Sequence, residues 1–323
     1  MAEPPRHPRS AVGPHPSVSV VPEGELVYGI QLPVQALSRM IAAPWERDAD
    51  VDDLLAVAQA AERAGFFYVA ICDHVAIPED RAETMSTQWF NPIATLGWLA
   101  GQTTSVRVMS NVYVAPFRHP LDTAKAFATL DALSGGRVIL GVGTGHVEGE
   151  FKALGVPFGE RGRLLDAAID GVVDAWSSEF VDGMGQRPRP VQTPRPPVWV
   201  GGSMPPALRR VADRGDGWVP QGTPRAEMPA ALDTIRRRRD EVRPGQPLDL
   251  GVITERVYVG EADWDLPKRT ISGSADEIAK SLNEYGAMGV CHLQVRFASR
   301  SRTEQCDQIE AFGAEVGPQL TRS

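Results

Sequence analysis

Short apolar runs recur along the chain at intervals that leave room for a helix between them. Most of these runs are apolar throughout rather than alternating between apolar and polar, which is typical of parallel strands covered on both faces. We predict eight strands, over residues 27–32, 66–72, 106–115, 137–141, 197–201, 217–220, 248–259 and 290–297.

The intervening segments carry apolar residues at helical spacing. Ser274 and Glu277 have the spacing of a capping box at the start of one such segment. Gly65 and Gly289 stand where a helix has to end before the next strand. We predict helices over residues 52–64, 91–102, 121–133, 161–176, 206–214, 226–242, 275–287 and 303–316.

Eight strand-then-helix units predict a (β/α)8 TIM barrel, formed by residues 26–323 as a single domain. The alternative is a doubly wound open sheet, which the number of strands and the lack of a dinucleotide fingerprint near the N-terminus disfavour. Residues 1–25 are rich in proline and lack an apolar run of signal-peptide length. We therefore predict that they form a disordered, unprocessed tail.

Composition narrows the class of protein and its compartment. A chain of 323 residues with 42% hydrophobic content can bury a large core, and its net charge of −8 argues against general affinity for nucleic acid. No run approaches the roughly 20 apolar residues of a membrane span. The four arginines at residues 236–239 lie among acidic residues in a predicted helix, which favours a solvated helix face. Three cysteines without CxxC spacing fit a reducing cytoplasm and a soluble protein.

Candidate chemistry concentrates where predicted strands end. Asp73 and His74 follow the second strand, and a glycine-rich turn that ends in His146 follows the fourth. His119 lies at a predicted helix start on the same face. In a barrel the carboxyl ends of the strands carry the active site, and histidine titrates near neutral pH. A pair of histidines at one rim therefore favours a functional role over loop structure alone.

A metal site is disfavoured, although Asp73, His74, His146 and Glu148 could supply ligands. No HxH motif follows the first strand, and the fifth and sixth strands end without a clear histidine or carboxylate. The sequence GGS at residues 201–203 leads into a helix, where backbone amides favour an anion. We therefore expect a phosphorylated ligand rather than a catalytic metal.

Several ordered blocks together resemble the luciferase-like monooxygenase superfamily. They are YGIQLP at 28–33, AERAGFFYVAICDHV at 61–75, SNVYVAPFRHP at 110–120, GVGTGH at 141–146 and PPVWVGGSMPP at 196–206, within a resemblance that runs from about residue 27 to 316. The chain most resembles the branch that uses the deazaflavin coenzyme F420, rather than the luciferases that use FMN. The resemblance implies a bacterial luciferase-like barrel and a homodimer.

The resemblance also implies roles for individual residues. The Asn111–Val112 bond matches a non-prolyl cis peptide that presses against the cofactor ring. Asp73 and His74 match a pair beside that ring, with His74 near the carbon that accepts hydride. The family residues that contact the ribityl and phosphate groups match Thr144, Gly145, Gly201, Gly202 and Ser203.

His146 departs from one branch of the family, in which a glutamate stands at this position and acts as an acid. His146 could serve as the acid instead, or it could only line the pocket. Glu148 or Glu150 could take over the role of the acid only if the loop that follows the fourth predicted strand folds back. The change makes sugar-phosphate oxidation less expected. Aromatic residues suggest the walls of the substrate pocket, namely Trp45, Trp89, Phe90 and Trp218, although Trp218 is better suited to the barrel core.

The sequence is therefore interpreted as an oxidoreductase that moves a hydride between reduced coenzyme F420 and a small organic carbonyl, imine or activated alkene. One alternative is an FMN-dependent monooxygenase, which would need a reductase and access to oxygen. Another is a noncatalytic barrel that binds a phosphorylated ligand.

Overall fold

Eight parallel strands close into a barrel in the computed structural model, which describes residues 15–322. Each strand pairs with the next one in the chain, and the first pairs with the last through Val27 and His292. The TIM barrel predicted from the sequence is confirmed. The strands are β1 (Val27–Gln31), β2 (Tyr68–Ile71), β3 (Arg107–Ser110), β4 (Val138–Gly143), β5 (Val198–Gly201), β6 (Gly217–Val219), β7 (Asp249–Val259) and β8 (His292–Phe297).

Ten helices surround these strands in the described part of the chain. Eight of them match the predicted helices to within two residues at most ends, and the Ser274–Glu277 capping box is formed. They are α1 (Val51–Arg63), α2 (Glu79–Met85), α3 (Pro92–Gln102), α4 (Pro120–Ser134), α5 (Glu148–Ala153), α6 (Arg161–Ser177), α7 (Pro205–Arg214), α8 (Met228–Val242), α9 (Ala275–Ala287) and α10 (Arg302–Ala311). None of the described helices is long and apolar enough to cross a lipid bilayer.

The third predicted strand is divided in two. After β3 the chain leaves the ladder at Asn111 and Val112, and a two-residue strand, Tyr113–Val114, then pairs with β4. The short helices α2 and α5 were not predicted, because six or seven residues are too few to show a helical period. A hairpin of Phe180–Val181 and Met184–Gly185 and a short strand, Ile271–Gly273, were also missed.

The amino end of the barrel is covered by part of the predicted tail. Residues 1–14 of that tail lie outside the described residues. Val18 and Val21 are buried, and the Asp249 carboxylate accepts hydrogen bonds from the Ser19 hydroxyl at 2.7 Å and from the Val20 N–H at 3.0 Å. Because Asp249 begins β7, residues 15–22 are packed against the barrel rather than free, which corrects the prediction of disorder for this part.

Candidate active site

Four loops bring the residues named from the sequence to one end of the barrel. Asp73 and His74 follow β2, Asn111 and Val112 follow β3, and residues 144–146 follow β4, while Gly201 ends β5 and residues 202–203 follow it. Since all eight strands are parallel, these segments meet at the carboxyl rim, which is where barrel enzymes carry their chemistry.

His74 is held by a carboxylate that lies 76 residues away in the chain. Its Nδ1 is 2.7 Å from Glu150 Oε2, and the side chains are 9% and 1% exposed. The other carboxylate oxygen, Oε1, accepts the N–H groups of Val75 at 2.7 Å and Ala76 at 3.2 Å. With Nδ1 committed to Glu150, only Nε2 of His74 is left to face a bound molecule.

Glu150 reaches His74 because α5 folds back over the loop that follows β2. Phe151 is fully buried, and its ring contacts Phe117 with centroids 4.7 Å apart. A Cβ added to Gly149 would stand 2.4 Å from Pro78, so glycine allows the helix to approach this loop closely. The segment after β4 does fold back, and it brings the Glu150 carboxylate to His74. An acid role for Glu150 stays a prediction.

The charge of Glu150 is stabilised within this arrangement. Burial raises the pKa of the carboxyl group, but the hydrogen bonds from His74, Val75 and Ala76 outweigh burial and leave the pKa below its usual value. Glu150 is therefore ionised at neutral pH and can hold an imidazolium as well as a neutral imidazole at His74.

His146 and Trp89 complete an aromatic cluster around His74. The ring centroid of His74 is 5.5 Å from that of His146 and 4.3 Å from that of Trp89. Solvent reaches the His146 side chain at the rim, yet partial burial of the ring and the nearby charge of His74 lower the pKa of His146. The lowered pKa favours the neutral form of His146 at pH 7.

Asp73 is committed to the protein rather than to the open rim. It is 3% exposed, and its carboxylate forms an ion pair with Arg118 and accepts the N–H of Val114 at 2.8 Å. The guanidinium of Arg118 lies over the Tyr113 ring, 4.3 Å from its centroid. Asp73 thus fixes the backbone just after the Asn111–Val112 bulge, and in these contacts both of its oxygens are used.

The Asn111–Val112 peptide is cis, as the resemblance implied. The backbone N–H of Asn111 donates to Ile71 O at 2.7 Å, and its Nδ2 donates to Gln294 Oε1 at 2.6 Å. The buried Oδ1 of Asn111 has no hydrogen-bond partner within residues 15–322. A buried acceptor without a donor is costly, which marks this position for contact with a bound group.

Glycines at the carboxyl ends of β4 and β5 make room for this bulge. An added Cβ at Gly141 would stand 2.0 Å from Ser110 O. Added Cβ atoms at Gly143 and at Gly201 would stand 2.4 and 2.6 Å from the Val112 side chain. These three glycines therefore seat the bulge between β4 and β5, a packing role that the sequence did not reveal.

The segment after β5 offers fewer free donors than its sequence suggested. The Ser203 hydroxyl donates to Gln221 O at 3.0 Å and accepts from Gln221 N at 2.8 Å and from Thr223 Oγ1 at 2.5 Å. Pro205 and Pro206 open α7 and have no N–H to donate. Any phosphate here would have to be bound by the backbone N–H groups of Ser203 and Met204, which donate to no atom of the described chain.

The four aromatic residues proposed as pocket walls do not lie together. Trp218 is fully buried, and its Nε1 donates to Gly202 O at 2.7 Å, so it belongs to the barrel core. Trp89 contacts His74, whereas Trp45 donates to Ser299 Oγ at 3.0 Å and Phe90 packs against the core. His119 caps α4 through the N–H of Leu121 and lies outside the cluster.

A cavity of about 520 Å³ opens at the same rim, on the side of β1, β7 and β8. It is lined by Gln31 and Gln294, which both lie within 3.5 Å of Asn111 Nδ2, so it reaches the bulge. Its volume is in the range typical of small-molecule sites. Among residues 15–322, no three histidine, cysteine or carboxylate side chains are arranged to hold a metal ion.

Comparison with known proteins identifies the family. The model of the luciferase-like monooxygenase family matches residues 29–266, which is most of the barrel. The chain belongs to this family. Its members are oxidoreductases and monooxygenases that use coenzyme F420 or a flavin.

Relatives within the family differ in cofactor. The chain is 35% identical over 181 residues to an F420-dependent hydroxymycolic acid dehydrogenase of Mycobacterium tuberculosis, which covers 53% of this chain and 49% of that protein. It is 27% identical over 159 residues to the oxygenase component of a flavin-dependent trigonelline monooxygenase of Acinetobacter baylyi, covering 46% and 42%. A solved F420-dependent secondary alcohol dehydrogenase has a TM-score of 0.71 at 17% identity, with 92% and 99% of the chains covered, which shows the shared fold alone.

Three arginines at this end of the barrel, Arg118, Arg256 and Arg296, were not identified as candidate site residues from the sequence. Arg118 pairs with Asp73, and an arginine shortly after the third predicted strand, at the same rim as Asp73, could have suggested this partner. Arg256 and Arg296, which line the cavity, were passed over because each lies inside a predicted strand.

Proposed function

We propose that this protein is a coenzyme F420-dependent oxidoreductase that transfers a hydride between the reduced deazaflavin and a small organic carbonyl, imine or activated alkene. The observation that carries the proposal is the His74–Glu150 pair beside the Asn111–Val112 bulge. It supplies a positioned group that can hold or release a proton, which is what hydride transfer to a carbonyl, imine or alkene requires of the protein.

The residues at the rim fit a deazaflavin. Val112 stands on the bulge against which the ring would lie, and the unpartnered Oδ1 of Asn111 is an acceptor for a ring N–H. The hydroxyl of Thr144 and the N–H groups of Ser203 and Met204 would hold the ribityl and phosphate groups. When bound in its reduced form, the coenzyme supplies the hydride.

His74 manages the proton in this proposal. Its Nε2 faces the rim, because Nδ1 is bonded to Glu150 at 2.7 Å. An imidazolium at this position can donate its Nε2 proton to an oxygen or nitrogen on which charge develops, and the neutral imidazole can take the proton back in the reverse direction.

FMN remains the competing cofactor, because the family includes flavin-dependent monooxygenases. A monooxygenase needs oxygen as well as a supply of reduced flavin, whereas hydride transfer from reduced coenzyme F420 needs no oxygen. The residues of the rim do not by themselves separate the two ring systems, so the choice has to be made by binding.

Cofactor titration tests the proposal. We expect the purified protein to quench the fluorescence of coenzyme F420 at lower protein concentration than that of FMN. Thr144→Val should weaken F420 binding by roughly 10-fold, since a hydrogen bond to a charged or strongly polar group contributes about 1.5 kcal/mol. Thr234→Val, on the exposed face of α8, is the matched control and should bind like the native protein.

FMN binding as tight as F420 binding, or tighter, would contradict the proposal and favour the monooxygenase. If both cofactors bind only weakly and Thr144→Val has no effect, the rim does not hold a flavin-like ring.

A further inference from the structure

Two arginines stand side by side in the wall of the 520 Å³ cavity. Arg256 on β7 and Arg296 on β8 are partners in the parallel ladder, and both line the cavity. Both are half-buried. The register shifts between Ile253 and Arg256, so a bulge in β7 is what places Arg256 opposite Arg296. Bulges next to active sites commonly redirect a side chain in this way.

Neither guanidinium has a partner in the described chain. Within residues 15–322 neither forms an ion pair, and neither makes a side-chain hydrogen bond, in contrast to the many other arginines that do both. Burial and the neighbouring charge of Arg256 lower the pKa of Arg296. Two like charges placed together in a partly desolvated wall repel each other, and the arrangement becomes favourable when an anion lies between them.

The carboxylate that lines the cavity does not neutralise this pair. Glu46 lines the same cavity, but its two oxygens accept the N–H groups of Val34 at 2.8 Å and Ala43 at 2.6 Å. Burial raises the pKa of Glu46, and the charge of Arg256 acts only at longer range to lower it. The cavity therefore keeps a net positive charge.

The position of the pair relates it to the proposed reaction. Gln294, which bonds Asn111, and Arg296 are two residues apart on β8 and so face the same side of the strand. Two residues of strand correspond to about 7 Å. The rest of the wall is mainly apolar or uncharged and includes Ile253, Trp264 and Phe297.

We propose that Arg256 and Arg296 bind the oxyanion of the substrate, so that the substrate is a small organic acid or phosphate ester with an apolar body. Its reducible bond would lie near the Asn111–Val112 bulge, and its anionic group would lie about 7 Å further along β8. This inference rests on the proposed function, since it assigns the substrate class of the same site.

Three inert probes of similar shape test the inference on the protein without cofactor. Benzoate, phenyl phosphate and benzamide are titrated by calorimetry. We expect benzoate or phenyl phosphate to bind at least 10-fold more tightly than the neutral benzamide, with an affinity that falls as salt is added. The tighter of the two anions then identifies the preferred group.

The variants Arg256→Gln and Arg296→Gln should each reduce the preference for the anionic probes over benzamide to less than about 3-fold. Arg296→Lys should retain part of the preference, because lysine keeps the charge but not the two parallel N–H donors of a guanidinium. Arg47→Gln removes a charge from an exposed position on a nearby loop and is the matched control. Thermal melting of each variant checks that it is folded. The salt dependence of anion binding is measured on the native protein, so it tests the inference even if a variant does not fold.

Equal binding of the three probes to the native protein, or a preference that survives both glutamine variants, would overturn the inference. It would also be overturned if Arg296→Gln weakened F420 or FMN as much as benzoate, because the pair would then hold the cofactor. These binding experiments measure no hydride transfer, so their results do not depend on whether the proposed function is correct. Equally, a failure to find anion binding would not contradict hydride transfer from coenzyme F420.

Discussion

At the scale of single residues, the site depends on which side chains are already committed to the protein. Asp73 forms an ion pair with Arg118, and Nδ1 of His74 is bonded to Glu150. The hydroxyl of Ser203 is bonded to Gln221 and Thr223. The side-chain atoms that remain for a ligand include Nε2 of His74, Oδ1 of Asn111 and the hydroxyl of Thr144, beside the backbone N–H groups of Ser203 and Met204. Of the residues named from the sequence, some therefore position the backbone and only a few can touch a cofactor.

His146 tests this distinction. Because partial burial and the charge of His74 lower its pKa, we expect it to line the pocket as a neutral imidazole. His146→Ala should raise the Michaelis constant several-fold and leave the pH dependence of kcat unchanged. Steady-state rates over a range of pH values provide the measurement. A shifted acidic or basic limb in the variant would instead assign the proton transfer to His146.

At the scale of elements, the Asn111–Val112 bulge and the two glycine-rich strand ends form one packed unit. Gly141, Gly143 and Gly201 leave the space that Ser110 O and the Val112 side chain fill. The site is thus built on strand ends whose spacing is set by the absence of side chains.

Gly141→Ala should destabilise the protein by roughly 2–4 kcal/mol, since its Cβ would stand 2.0 Å from Ser110 O and the strands would have to separate. Gly97→Ala, in α3, meets nothing within 4 Å and should stabilise by up to about 1 kcal/mol. Urea unfolding of both variants measures the difference. A Gly141→Ala protein as stable as the native one would show that the bulge does not need this glycine.

The same elements show what could be predicted from sequence and what could not. Apolar runs and helical spacing were sufficient for eight strands and eight helices, because burial on both faces leaves a strong local signal. The break in the third strand and the return of α5 depend on contacts such as Glu150 with His74, which are far apart in the chain. The cis peptide and the roles of individual residues toward the cofactor were inferred only from resemblance, whereas the predicted strand ends were sufficient to bring Asp73, His74 and His146 to one rim.

At the scale of the whole molecule, the two ends of the barrel differ in structure. The carboxyl end holds the candidate site, while residues 15–22 cover the amino end and bond Asp249. Burial and the charge of Asp216 raise the pKa of Asp249 to about 6, against the hydrogen bonds from Ser19 and Val20. The homodimer and the cytoplasmic location inferred from the sequence stay predictions.

The raised pKa of Asp249 makes stability depend on pH. Between its usual pKa of 3.8 and about 6, the folded state binds this proton more tightly than the unfolded state, so the free energy of unfolding falls as pH rises through that window. Asp249→Asn removes this contribution. Relative to the native protein, the variant should gain on the order of 3 kcal/mol between pH 4 and pH 7.

Urea unfolding of both proteins at several pH values measures this change. The absolute stability of Asp249→Asn can be lower at pH 4, because the amide does not replace both carboxylate oxygens. A difference between the two proteins that stays constant with pH would contradict the raised pKa.

The central claim, that His74 manages the proton while reduced coenzyme F420 supplies the hydride, is tested most directly by single-turnover kinetics. Oxidation of the reduced coenzyme is followed by absorbance against a panel of anionic aldehydes, ketones, imines and activated alkenes. We predict that one class of acceptor oxidises it rapidly with the native protein and with His119→Ala, and roughly 100-fold more slowly with His74→Ala, whose affinity for F420 changes little. Equal rates with and without His74, or turnover only with reduced FMN and oxygen, would contradict the account.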